Sequence, residues 1–370
     1  MLSLACIFFL VFILLCVLVG FVLLWDLRTI KYTNSSDSTS VNLSVIIPAR
    51  NEEHNLPPLL KSLNMEKRKH PFEIIVVDDN STDQTYKTAW AEGAAVLAVK
   101  DKPSDWTGKN YACWYGAQHA RGDTLLFMDA DLQVSRGGVV KVIHEYRKRK
   151  TPLTIQPFHG MNKSYEWWSL FFNIMIVTGV GAFTLLGKKI KPSGGFGPFL
   201  LIDREYYFSI GGHKLTKESI LETLTMGKAM ENTLECYIGK GTVSFQMYPN
   251  GFKELWEGWT KAFIDGASQT KPLVLTMSIF WLSGLIAAPL YTAGIYLLSE
   301  PLLFRYSFIT IGIAVLQLSH IGKRIGNYNT IVFLLYPIYL IFFFTLFFWS
   351  FFSVRILHRV TWKGRVIQRS

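Results

Sequence analysis

Residues 2 to 25 run from leucine to tryptophan without one charge, a stretch longer than the roughly 20 apolar residues a bilayer-spanning helix needs. The run is too long for a cleaved signal peptide and no basic residue precedes it, so it reads as an anchor over 1 to 28. Arg28 and Lys31 follow it, and the positive-inside rule then sets the N-terminus outside and the following segment in the cytoplasm. Half of the 370 residues are hydrophobic and 15% are aromatic, too apolar for a simple soluble enzyme. Further spans are expected at 273 to 298, 301 to 319 and 330 to 353, within a C-terminal membrane region of 271 to 355. Three simple crossings would leave the basic tail of 356 to 370 outside, with Arg359, Lys363, Arg365 and Arg369 following Arg355. That opposes the positive-inside rule, and a re-entrant or interfacial segment around Pro289 would restore it. The expected location is therefore the cell membrane, with several passes and a cytoplasmic domain.

A net charge of +11 includes basic runs at 65 to 70 and 146 to 150. They suit a domain resting on anionic lipid, or are plain solvated faces. No nucleic-acid recognition motif accompanies them, so the bilayer is an expected partner and nucleic acid is not. The four cysteines, Cys6, Cys16, Cys113 and Cys236, have neither disulfide nor metal spacing, as in a reducing compartment.

Between the membrane segments, a polar linker at 33 to 42 leads into a domain expected over 40 to 270. LSVIIPA (43 to 49), FEIIVVDDN (72 to 80), AAVLAV (94 to 99) and TLLFM (124 to 128) are apolar strands separated by helical stretches. Pro57 and Pro58 fit a first helical turn, and Ser81 and Gln84 have capping-box spacing. Strands and helices alternating at this density predict an α/β fold with a doubly wound, mostly parallel sheet, flanked by N-terminal and C-terminal transmembrane helices. The stretch at 165 to 186 is apolar enough to span, but a single crossing would separate the acids described next from the polar segment 187 to 270. It reads as an interfacial helix with Trp167 and Trp168 at headgroup level, or as a buried domain helix.

Two of the strands end in acids: Asp78 and Asp79 on one, Asp129 and Asp131 on the other. Open α/β sheets bind ligands at such strand ends. Carboxylates are hard ligands for Mg²⁺ or Mn²⁺, ions that complete their shells with phosphate and water, so the second pair predicts a phosphate-bearing substrate. A phosphorylation-type receiver domain would account for the first pair alone, and neither for the second pair nor for the spans.

The ordered series IIPARNEE, VVDDNSTD, WTGKNYACWYGA, FMDAD and SGGFGPFLLIDREYYFSIGGH resembles inverting family 2 glycosyltransferases of the GT-A fold over about residues 40 to 265. The resemblance implies that Pro48, Arg50, Glu52, Asp78, Asp79, Lys109 and Asp129 hold a UDP-sugar, and that Asp129 and Asp131 hold Mn²⁺ or Mg²⁺. It makes Asp131, Glu222 and His213 the catalytic candidates. Gly195, Phe196 and Gly197, with Trp259 and Lys261, become candidate acceptor contacts. For the glycines turn chemistry is the plainer reading, for His213 a polar loop, and for Trp259 an interfacial anchor.

Many members place Glu-Asp after the glycine loop, the aspartate serving as base toward a hydroxyl. Here Glu222 is followed by Thr223. Threonine takes no proton at neutral pH, so an alcohol acceptor would need Glu222, Glu218 or another base within reach. A carboxylic acid arrives ionised. The chain also lacks the Gln-x-x-Arg-Trp motif of processive members. The expected reaction is a single transfer of a hexose, glucose foremost, to a membrane lipid, the resemblance favouring the carboxylate of a C30 carotenoid acid. A lipid hydroxyl (hopanoid, diacylglycerol or polyprenyl phosphate) and a non-catalytic nucleotide-sugar-binding membrane protein are the alternatives. Enzymes of the same pathway are possible partners.

Overall fold

The computed structural model describes residues 2–31, 41–68, 70–219, 222–230, 233–356, 359–362 and 365–368. The expected linker lies outside them except for its last two residues, as do Lys363 and Arg369 of the tail. The chain forms two units: a helical one of Met1–Leu27, Met161–Lys191 and Met247–Ser370, and an α/β one of Arg28–Gly160 and Pro192–Gln246. The domain expected over 40 to 270 is thus drawn differently, because 161–191 and the chain from 247 onward belong with the helices. Burial explains this: Phe171, Phe172 and Ile174 have no exposed surface and lie on a short helix packed among the helices of that unit.

In chain order, α1 (Leu2–Leu23) is followed by β1 (Leu43–Ala49), α2 (Leu56–Lys67), β2 (Glu73–Asp78), α3 (Thr85–Ala91), β3 (Ala95–Ala98), α4 (Gly108–His119) and β4 (Thr124–Met128). Next come β5 (Leu132–Val134), α5 (Gly138–Arg149), β6 (Leu153–Gln156), β7 (Phe158–His159), α6 (Leu170–Val180), β8 (Phe199–Asp203), α7 (Arg204–Ser209), α8 (Glu222–Ala229), β9 (Glu235–Ile238) and β10 (Val243–Phe245). The remainder is α9 (Phe252–Gln269), α10 (Pro272–Leu297), α11 (Pro301–Ile325), α12 (Thr330–Leu334), α13 (Tyr336–Arg355), β11 (Arg359–Trp362) and β12 (Arg365–Gln368). All four expected strands form. The capping box does not: α3 starts at Thr85, and the Ser81 hydroxyl accepts from Asn51 N at 3.0 Å instead.

In the α/β unit, the main sheet has the order β3-β2-β1-β4-β8-β6-β9. Strands β1, β2, β3 and β4 are parallel, and β8 runs against both its neighbours. β1 and β4 are buried almost throughout, as expected of strands covered on both faces. After β1 the chain winds outward to β3, then returns to place β4 on the other side of β1. That reversal opens a crevice at the carboxyl ends of β1 and β4, where Pro48 and Asp129 stand. Because β8 is antiparallel, its first residues lie beside the last of β4, Met128 opposite Phe199. This brings the glycine loop before β8 to the same crevice.

Among the described residues of the helical unit, four helices are long and apolar enough to cross a membrane: Leu4–Leu23, Pro272–Leu297, Pro301–Ile325 and Tyr336–Ser353. α1 runs antiparallel to α10, with a Cβ on Gly20 meeting the Trp281 ring, one on Gly284 meeting Cys16 and Val17, and Tyr291 donating to Cys6 O at 2.9 Å. Gln317 of α11 joins all three, accepting from Trp281 Nε1 at 2.8 Å and donating to Val17 O at 3.2 Å. α6 has 11 residues and ends at Gly181 in a left-handed conformation with φ 71°, so it is far short of a span. α10 is continuous through Pro289. The proline takes the hydrogen bond from Leu285 O, and Tyr336 Oη donates to that carbonyl at 3.1 Å instead.

Candidate functional site

Lys109, on the first turn of α4, points its ammonium between two carboxylates, 2.7 Å from Asp129 Oδ1 and 2.6 Å from Glu222 Oε1. Asp129 follows β4, and its amide donates to Pro198 O at 3.0 Å. Glu222 opens α8 and is 3% exposed. Burial alone would pull the lysine's pKa down, but Asp129 and Glu222 outweigh it and hold Lys109 protonated well above its ordinary range. The lysine therefore stays a cation, and Glu222 serves as one of its two counter-ions.

Around this bridge a cleft is lined by Pro48, Cys113, Phe127, Gly197, His213 and Thr223. A Cβ on Gly197 would come 3.2 Å from Glu222 Oε1 and 3.8 Å from Lys109 Nζ, so a side chain here would crowd the ion pair. Gly195 N donates to Thr223 O at 3.3 Å, while Gly194 and Gly227 act otherwise. A Cβ on Gly194 would strike Leu224 O at 2.4 Å, and one on Gly227 would strike Gly194 Cα at 2.3 Å. These two glycines let loop and helix touch backbone to backbone, which fixes where α8 and Glu222 stand. Phe196 is buried, its amide donating to Thr154 Oγ1 at 2.9 Å.

His213 is 2% exposed, with Nδ1 2.9 Å from Tyr207 Oη. Burial, and secondarily the Lys109 cation, pull its pKa down to about 3. It is a neutral imidazole at any physiological pH and donates no imidazolium proton. Burial likewise pushes the Cys113 thiol far up, which makes it a lining group and not a nucleophile.

The remaining candidates sit on the two loops that follow β1 and β2. Arg50 Nη1 is 3.6 Å from Asp79 Oδ2, and Asp78 Oδ1 accepts from Ser81 N at 3.1 Å. Asn51 Oδ1 receives Thr82 N at 2.8 Å, and Glu52 N donates to Thr85 Oγ1 at 2.8 Å. The loops are laced into one wall. Asp131 opens to solvent, yet surrounding protein, Asp129 and Glu52 push its carboxyl pKa up. Negative charge is crowded here, and a divalent cation would relieve it. Among the described residues no three His, Cys, Asp or Glu side chains close a cage. Two hard carboxylates with open solvent beyond fit an ion that draws its other ligands from phosphate and water.

Trp259 and Lys261 are part of the helical unit. Trp259 is wholly buried, donates from Nε1 to Ser169 Oγ at 3.0 Å and stacks on Phe172 at 4.9 Å. Its side chain is a core element and has no surface to offer an acceptor.

Two residues that sequence reasoning passed over belong to the site. Asn110 Nδ2 reaches the carbonyls of Thr216, Lys217 and Ser219, tying α4 to the segment that leads to Glu222. Gly108 has no room for a side chain, because a Cβ would meet Asp79 Oδ2. Both stand beside Lys109 in WTGKNYACWYGA, so the signal was their adjacency to a residue already singled out.

A model of the family described as Glycosyl transferase family 2 matches residues 44–224. Two relatives named 4,4'-diaponeurosporenoate glycosyltransferase align over 335 residues. The one from Staphylococcus haemolyticus (strain JCSC1435) is 35% identical over 88% of each chain, and that from Staphylococcus aureus (strain USA300) 34% over 87% of each. Among solved structures, mannosyltransferase PcManGT from Pyrobaculum calidifontis, in complex with GDP-Man and Mn²⁺, aligns with a TM-score of 0.52. At 13% identity over 85% of this chain and 88% of that one, the likeness is one of fold, the GT-A type.

Proposed function

The chain belongs to glycosyl transferase family 2, and from that premise we propose that it moves glucose from UDP-glucose to the carboxylate of a C30 carotenoid acid, giving a glycosyl ester with inversion. The observation that carries this reading is the Lys109 bridge. Glu222 is already engaged as a counter-ion of the lysine, and its neighbour Thr223 is no base. An acceptor that must lose a proton in the reaction would compete with Lys109 for Glu222. A carboxylate has no proton to lose: its oxygen attacks the anomeric carbon, the bond to the diphosphate oxygen breaks, and UDP leaves with the electron pair. The names of the two staphylococcal relatives support the choice of acceptor.

Asp129 and Asp131 would hold Mn²⁺ or Mg²⁺, which supplies positive charge to the departing diphosphate. The laced wall of Pro48, Arg50, Glu52, Asp78 and Asp79 would receive the nucleoside. Lys109 keeps a fixed positive charge at the crevice. Gly195, Phe196 and Gly197 set the position of α8, with Gly197 leaving the ion pair uncrowded beside the acceptor's approach. His213, neutral, serves as a hydrogen-bonding wall. The working location is the cell membrane, with the α/β unit in the cytoplasm.

The test is transfer of label from UDP-[¹⁴C]glucose to a purified carotenoid acid by the full chain with Mn²⁺. The expected product is cleaved by mild alkali, and Asp131→Ala abolishes it while the protein stays folded and membrane-bound. A second reading, transfer to a lipid hydroxyl such as a hopanoid, rests on the Glu222 carboxylate lying at the cleft. An alkali-stable product would select it. Absence of label in any lipid from any sugar nucleotide would leave a non-catalytic binder.

A further inference from the structure

We propose that α13, although long enough to cross, does not: it lies within the leaflet on the side where α10 begins, so the chain crosses three times and its basic tail returns to that side. The crossing frame is α1, α10 and α11. Gly20 with Trp281, Gly284 with Cys16, and Trp281 with Gln317 put the end of α1, the start of α10 and the end of α11 together; Arg324 Nη1 donates to Leu27 O at 3.1 Å there. This end is called the near side below.

α9 marks the near side independently. It ends at Gln269, just before α10 begins at Pro272, and its sequence carries Lys253, Glu254, Glu257, Lys261 and Asp265. Five charges keep it out of hydrocarbon. The far half of α13 is fastened to this helix, Ser350 Oγ donating to Thr260 O at 2.6 Å, and the β11 backbone beyond it also lies against α9. Had α13 crossed, its end would stand about 30 Å away, across the hydrocarbon core. The start of α13 is the deep end. Tyr336 reaches Leu285 O, about 20 Å along α10 from Pro272 at 1.5 Å per residue. The chain arrives there from the near side through α12, with Phe333 against Gly322 of α11.

The faces of α13 agree. Tyr336, Leu340, Phe343, Leu346, Ser350 and Ser353 are buried against protein, a stripe at helical spacing that also turns the hydroxyls inward. Ile338, Ile341, Phe348, Trp349 and Phe352 are exposed, and no charge occurs from 336 to 354. The occupant of such a face is lipid acyl chain. The arrangement also gathers Arg28, Lys31, Lys323, Arg324 and the tail on one side, with Arg305 on the other. It resolves the charge conflict at the last helix instead of at Pro289.

The test adds one cysteine at a time to the full chain carrying Cys6→Ser, whose Cys16, Cys113 and Cys236 are buried, and labels it with a membrane-impermeant maleimide in spheroplasts and in inverted vesicles, the Cys6→Ser parent giving the background. Lys253→Cys reports the α9 side and Ser299→Cys the opposite loop. Ser370→Cys is expected to label only in the preparation that labels Lys253→Cys. Labelling together with Ser299→Cys, or from both sides, overturns the proposal. Protease protection of a C-terminal epitope tag repeats the comparison without any substitution, and must give the same side.

Discussion

Lys109 sets the charge balance of the cleft, and single substitutions there separate the two acceptor chemistries. Glu222→Gln removes one counter-ion without changing shape. For a carboxylate acceptor it is expected to lower kcat by less than about tenfold, whereas loss of a general base costs about 10²- to 10⁴-fold. Lys109→Met should be the more damaging change, because it leaves Asp129 and Glu222 facing each other. The double variant Lys109→Met/Glu222→Gln should lose less than the sum of the two, as expected of groups in direct contact, and steady-state kinetics on the four proteins measures that coupling. The buried histidines make a second prediction. His213 and His159 are both pulled down to about 3, while the unfolded chain titrates near 6.5, so below that pH the unfolded state binds more protons. The histidine contribution to stability is therefore complete above about pH 6.5 and falls as pH drops, by about 2 kcal/mol per histidine between neutrality and pH 5. The raised Asp131 carboxyl contributes with the opposite sign over the same range, so the measurement is a comparison: thermal unfolding of the unmutated chain and of His213→Asn should diverge by that amount between about pH 7 and pH 5. Neither burial was legible in sequence: a histidine in GGHK looks like a loop residue until Tyr207 is seen to close over it.

At the scale of elements, the alternation of apolar strands and helices was legible because the strands of a sheet covered on both faces announce themselves as unbroken apolar runs. The acids at their ends were legible for the same reason. The job of the glycines was not, since sequence shows that a residue is small without showing what approaches it. Gly194 and Gly227 turn out to serve the contact between loop and α8, and Gly197 keeps the ion pair uncrowded. Gly227→Ala is expected to push α8 off the loop and destabilise the α/β unit by about 1–3 kcal/mol, the usual cost of overpacking. Activity should fall further than stability does, because Glu222 moves with the helix. Denaturation midpoints together with kcat for Gly227→Ala and for the control Gly312→Ala, an exposed helical glycine whose Cβ would meet nothing, would show it. The start of α3 was misread for a comparable reason: Ser81 has the spacing of a helix cap, but its hydroxyl was taken by Asn51 from the neighbouring loop.

At the scale of the molecule, four long apolar helices and an α/β domain were evident, and the division between the two units was not. The chain passes from one unit to the other at 27/28, 160/161, 191/192 and 246/247. Sequence order suggests one uninterrupted domain, whereas contacts assign 161–191 to the helices. A fragment of residues 28–246 is accordingly expected to aggregate, since α6 would bring Phe171, Phe172 and Ile174 into water. Replacing 161–191 by a short glycine-serine linker should return a soluble, cooperatively unfolding protein, checked by gel filtration and circular dichroism. The same interleaving has a consequence for biosynthesis. Strands β8 and β9, which complete the main sheet, leave the ribosome only after α6 has been made, and the helices α6 packs against, α9, α10, α11 and α13, are made later still. The nascent chain must therefore carry an apolar helix without its partners while the sheet is still unfinished, and the insertion machinery or a chaperone has to shelter α6 during that interval.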